Sequence, residues 1–221
     1  MPKVTSVEPQ KKNPHRYNIF LDGTFAFGAD EDTVVNFRLI VGKEIPKDAI
    51  EKVLFETEVG KLMDRIYNLF SRRDRSEQEV RIYLKELSFK RKIKDKDELS
   101  DIVIDALIER LYSKGLLDDR RFAQNWVESR RKSKKKGSNA LKAELYQKGI
   151  SKDIIDDVLS EEVDEESLAF EALQKKLKSW RNLEDLELKQ KAVEFLVRRG
   201  FDYSLAKNVI EKIIKKEYTN S

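Results

Sequence analysis

Two patterns of apolar positions divide the chain. Tyr17 to Leu21 and Thr24 to Phe27 are rich in aromatic and β-branched residues and flank Asp22-Gly23. An Asp-Gly pair tolerates the positive φ angles of a tight turn, so this stretch predicts a β-hairpin. Lys3 to Val7 predicts a third strand that ends before Pro9. From about residue 30 onward the pattern is helical. Asp30 or Asp32 is placed to cap a helix carrying Val34, Val35, Phe37 and Leu39 to Gly42. Pro46 falls in the first turn of a further helix, where the missing N–H costs nothing. Ile50, Val53 and Leu54, then Leu62, Ile66 and Leu69, follow at helical spacing and are expected in the core.

One stretch occurs twice. Leu145, Lys148, Gly149, Ile150, Ser151, Ile154, Ile155, Val158 and Leu159 align without a gap with Leu196, Arg199, Gly200, Phe201, Asp202, Leu205, Ala206, Val209 and Ile210. Each copy reads as the end of an amphipathic helix, a Gly stop, an apolar residue, a Ser or Asp cap and a second amphipathic helix. A period of 51 residues points to stacked helical units. A weaker first copy places Val80 and Leu84 opposite Leu141 and Leu145, with Ser88-Phe89 at the stop. A polar insertion from Lys90 to Glu98 then delays its third helix. The expected architecture is mainly α: tandem three-helix repeats forming an elongated curved body, with a small N-terminal β-hairpin region. The expected parts are an extension at 1–57 and repeats at 58–117, 118–162 and 163–221.

Composition narrows the chemistry. Apolar and charged residues each make up 39% of the chain, a balance that suits thin cores and much wet surface. The absence of cysteine excludes disulfides and thiolate metal sites. His15, the only histidine, has no second imidazole to work with, so neither catalysis nor metal binding is expected of it. No phosphate-cradling Gly-rich loop and no nucleophile elbow is present. We therefore expect no catalytic residue, no metal and no cofactor. With no signal peptide and no apolar run of membrane-spanning length, a cytoplasmic protein is expected.

Charge is segregated far beyond the net value of +4. Arg130, Arg131, Lys132, Lys134, Lys135 and Lys136 place six basic residues in a window of seven. Asp153 to Glu171 holds nine acidic residues, among them Asp156, Asp157, Glu161 and Glu162, and no basic one. Basic side chains suit a helix C-terminus, but six exceed that need. The cluster reads either as a contact for phosphate or an acidic protein, or as a solvated run. The acidic block reads as a face for a second partner. Its helix, with Asp153, Asp156 and Asp157, would be repelled from a DNA groove, which argues against helix-turn-helix docking by the second unit. The last helix, with Lys207, Asn208 and Lys212, is more permissive.

The run Gly115-Leu116-Leu117-Asp118-Asp119-Arg120-Arg121-Phe122-Ala123, followed by Arg130, Gly137, Leu145 and Lys148-Gly149-Ile150, resembles the RecX family. Lys189-Gln190-Lys191 through Phe195-Leu196 to Arg199-Gly200-Phe201 is similar to that family's third repeat. The resemblance covers about residues 58–214, and the N-terminal hairpin region resembles the extension of Gram-positive members. It implies tandem three-helix repeats and a modulator of the RecA recombinase that acts on the RecA–single-stranded-DNA filament, in most members restraining it. The alternative is a helical repeat protein that binds single-stranded or duplex nucleic acid non-specifically. A monomer is expected.

Overall fold

The computed structural model describes residues 1–11, 13–94, 96–160, 163–180 and 182–219. They form two compact units. One comprises Met1–Asp74 with Val80–Leu117, the other Arg75–Glu79 with the chain from Asp118 onward.

The first unit opens with an antiparallel sheet of order β1-β2-β3: β1 (Val4–Gln10), β2 (Asn13–Leu21) and β3 (Thr24–Asp30). The turn between β2 and β3 is the expected Asp22-Gly23, with φ of 49° and 83°, the doubly positive pair of a type I′ turn. Strand β1 does not end before Pro9 but runs through it. Pro9 pairs with Tyr17 on an edge strand, beside a register shift, where a missing N–H is tolerated. Helix α1 (Glu31–Asn36) is capped by Asp30, whose Oδ1 accepts the Thr33 N–H at 2.8 Å. It is shorter than expected. Arg38 adopts φ of 48°, which ends the helix, and Leu39 to Gly42 become a loop laid along β1. There the Val4 N–H donates to Lys43 and the Gly42 N–H donates to Val4, each at 2.8 Å. Leu39 drops into the core with Ile19 and Phe27.

Pro46 is the N-cap of α2 (Lys47–Phe70), which continues unbroken through residue 58, where the sequence pattern placed the start of the first repeat. Its Val59, Leu62 and Ile66 pack with Val80 and Leu84 of α3 (Glu77–Lys92) and with Leu107 and Leu111 of α4 (Asp101–Ser113). The stop expected at Ser88 is not a stop. Serine has no special access to the left-handed conformation, and α3 runs on to Lys92, leaving Phe89 exposed. The Ser88 Oγ is buried and accepts the Leu99 N–H at 2.9 Å. Leu99, followed by the Ser100 cap, therefore occupies the place expected of Phe89.

The second unit contains α5 (Asp119–Lys134), α6 (Ser138–Gln147), α7 (Lys152–Leu159), α8 (Glu165–Trp180), α9 (Asp185–Arg198) and α10 (Tyr203–Thr219). Gly149 and Gly200 have φ of 77° and 89°. The Ile150 N–H reaches Leu145 O and the Phe201 N–H reaches Leu196 O, each at 3.1 Å. These are the six-to-one bonds of a Schellman helix ending. Ser151 and Asp202 then accept backbone N–H groups of the following helices. Phe122, Leu141, Leu145 and Ile155 fill one core; Ala192, Leu196, Phe201 and Val209 fill the next.

The Gly stops also serve as sockets. The Gly137 and Asn139 N–H groups, at the start of α6, donate to Arg199 O and Gly200 O, each at 3.0 Å. The orphan donors of one helix thus meet the orphan carbonyls of another, and their dipoles run head to tail. A second junction places the start of α3 against the end of α6, with a side-chain hydroxyl as the donor. The Ser76 hydroxyl, at the start of α3, donates to Lys148 O at 2.7 Å, and Lys148 Nζ donates to Glu79 at 2.6 Å. In both junctions the first residue of a helix beside the socket supplies a carboxylate: Asp119 accepts the Glu77 N–H at 2.8 Å, and Glu165 accepts the Ser138 N–H at 2.9 Å.

Candidate interaction surface

Helix α5 presents the basic cluster. Asp118 caps it by accepting the Arg121 N–H at 2.9 Å, and Phe122 stacks on Trp126 with ring centres 5.7 Å apart. One turn later the Arg130 guanidinium lies 4.1 Å from the Trp126 ring centre, the geometry of a cation–π contact. Glu144 of α6 binds this assembly together. It accepts Trp126 Nε1 at 2.7 Å, Arg130 Nε at 3.2 Å, and the Lys136 ammonium. Burial works to raise the Glu144 pKa, but the bonds from Lys136, Trp126 and Arg130 together hold its carboxyl below the ordinary glutamate value.

The six basic residues therefore divide. Arg130 and Lys136 are tied to Glu144, and Lys135, the left-handed C-cap of α5, reaches Glu171 at 2.5 Å. Arg131 lies against the cleft between α5 and the start of α8, its Nε buried without a hydrogen-bond partner. Lys132 and Lys134 are exposed and have no ion-pair partner among the described residues. The acidic candidates divide likewise. Asp153 is exposed, Asp156 bonds Lys142 at 2.7 Å, and Asp157 bonds Arg120. The Lys142 hydrogen bond holds the Asp156 pKa below its usual value. Glu161 and Glu162 lie outside the described residues. On the last helix, Lys212 is held by Glu166 at 2.6 Å.

The pattern of residues did not point to Glu144, Asp119 or Glu165, because each acts on a partner supplied by another helix. Asp119 reads in sequence as a charge favouring its own helix start. Burial raises its pKa, outweighing the opposing Glu77 N–H bond. A carboxyl raised above its unfolded value costs stability when ionised, and that cost vanishes as pH falls through the raised value. Asp119→Asn, which keeps the acceptor oxygen, is expected to be more stable than the wild type at pH 7, with the difference closing toward about pH 4. Asp119→Ala removes the acceptor and is expected to lose about 1 kcal/mol. Thermal melts across that pH range check both.

Among the described residues no group of three His, Asp or Glu side chains is placed to hold a metal, and no helix is long and apolar enough to cross a membrane. The fold and its polar junctions define a tandem helical-repeat protein of three-helix modules with a small β-sheet before them. The chain belongs to the RecX family. The model of the regulatory protein RecX N-terminal domain matches residues 2–46, that of the second RecX three-helix domain residues 118–159, and that of the third residues 164–210. The regulatory protein RecX of Bacillus velezensis is 36% identical over all of this chain and 80% of its own length. That of Listeria monocytogenes is 31% identical over 93% of this chain and 73% of its own. A crystal structure of regulatory protein RecX superposes with a TM-score of 0.77 at 27% identity, covering 96% of this chain and all of that one.

Proposed function

We propose that this protein binds the RecA–single-stranded-DNA filament and lowers its recombinase, ATP-hydrolysing and coprotease activities. In this reading it acts as a cytoplasmic monomer by binding alone, with no catalytic group, metal or cofactor. The acting parts are the repeats at 58–117, 118–162 and 163–221, with 1–57 as an extension. The observation that carries the reading is membership of a family of regulatory proteins along the whole chain. To shift a filament equilibrium the protein must bind one filament state better than another. Lys132 and Lys134, which the fold leaves without ion-pair partners among the described residues, are the members of the basic cluster best placed to meet the filament, with Arg131 beside them. Asp153 belongs to the face offered to a basic surface.

The test is single-stranded-DNA-dependent ATP hydrolysis by the cognate RecA, with this protein added below stoichiometry at two salt concentrations. A dose-dependent fall is expected, weaker at high salt. Lys132→Ala with Lys134→Ala is expected to weaken the effect several-fold while leaving the melting temperature unchanged. An unchanged hydrolysis rate would reject the filament reading.

A further inference from the structure

The first unit holds a polar cavity of about 570 Å³, walled by the start of β2, the passage from β3 into α1, the middle of α2 and the end of α4. Its charges are unbalanced, with five carboxylates in the lining against the three cations Arg16, Arg110 and Lys114. Two of the carboxylates have structural work. Glu56 is bound by Arg110 at 2.7 Å, and Asp30 caps α1 with Oδ1 while its Oδ2 rests where Gly60 leaves α2 without a side chain. At the mouth, Glu31 lies 3.3 Å from His15, and Asp32 is exposed without an ion-pair partner among the described residues. Arg16 is the unusual member. It is 8% exposed, yet its guanidinium is only half used: Nη1 donates to Asp64 at 3.2 Å, and the buried Nη2 has no hydrogen-bond partner. A buried N–H without an acceptor costs free energy that an incoming acceptor recovers.

We propose that this cavity receives a cationic segment of a protein partner, with an arginine or lysine side chain against Glu31 and Asp32 and a peptide carbonyl on Arg16. Three other occupants fit less well. A phosphate would suit Arg16 and Lys114 but meet the excess of carboxylates. A metal ion finds, among the described residues, no group of three ligands placed to hold it. A polyamine would satisfy the carboxylates but bring no acceptor to Arg16. A basic peptide carries the cation and the carbonyl on one backbone. The site lies in the first unit and uses none of the Arg130–Lys136 cluster. It goes beyond the filament reading, and its test needs no RecA.

The test is fluorescence anisotropy of a labelled, acetylated peptide of alternating arginine and glycine, added to the full chain at low salt, with spermine as competitor. The wild type is expected to prefer the peptide to spermine by at least about tenfold, because only the peptide offers carbonyls. Arg16→Met, which keeps most of the side chain's length, is expected to abolish that preference without weakening spermine. Glu31→Gln with Asp32→Asn is expected to weaken both ligands about fivefold. Melting temperatures should match the wild type, since Asp64, the partner Arg16 would leave, is half-exposed and Glu31 and Asp32 are exposed. A preference that survives Arg16→Met would overturn the proposal, as would equal wild-type binding of peptide and spermine, or no binding. A melting temperature raised by inorganic phosphate and not by the peptide would also overturn it, reassigning the cavity to an anion. Should Arg16→Met melt lower, the double variant decides: its undiminished peptide binding would overturn the proposal, and its loss would uphold it.

Discussion

Replacing Gly200 by alanine is expected to destabilise the protein by about 3 kcal/mol, read as a lower urea midpoint at unchanged slope. Two costs combine there. Gly200 has φ of 89°, which an L side chain resists, and an added Cβ would stand 2.2 Å from the Ala140 backbone nitrogen. Two comparisons separate them. Gly115 has φ of 64° with open space around it, so Gly115→Ala should show the backbone cost alone, about 1 kcal/mol. Gly137 has φ of −77°, but its Cβ would lie 2.5 Å from the Gly200 carbonyl. Gly137→Ala should therefore show the crowding alone, about 2 kcal/mol. Equal losses at Gly200 and Gly115 would mean that the α6–α9 junction opens readily to admit a methyl group.

Glu144→Ala should cost about 2 kcal/mol, because it strips a charged acceptor from three donors at once and leaves Arg130 and Lys136 half-buried without it. The effect depends on pH with a definite sign. The folded carboxyl is held below the ordinary glutamate value, so its contribution is complete above about pH 4.3 and fades as pH falls through the lower folded value. Urea unfolding of wild type and variant at pH 7 and in acid checks this. A gap that stays constant on acidification would show that the packing of Glu144, and not its charge, matters.

Much of the fold was legible in the residues because its signals are local. Asp22-Gly23 sets a turn by its own φ angles, and Gly149-Ile150-Ser151 and Gly200-Phe201-Asp202 each end one helix and start another within a few positions. Ser88 was misread because the same alignment slot holds a residue without glycine's conformational freedom. The true equivalent of the stop's apolar residue, Leu99, arrives only after a detour. Arg38 ended α1 early by a left-handed turn that an arginine gives no sign of adopting. The site was legible as charge but not as geometry. Six cations in seven positions are visible, but their sorting depends on Glu144 and Glu171 from other helices.

The two helix sockets also have a consequence for synthesis. A ribosome releases the chain N-terminus first, yet the Ser76 hydroxyl at the start of α3 meets Lys148, 72 residues later, and the start of α6 meets Arg199. The starts of α3 and α6 therefore leave the tunnel without the partners that the following repeats supply. Maturation of the second unit must lag behind translation by about one repeat, and a chain halted before Gly200 would keep the start of α6 open to water.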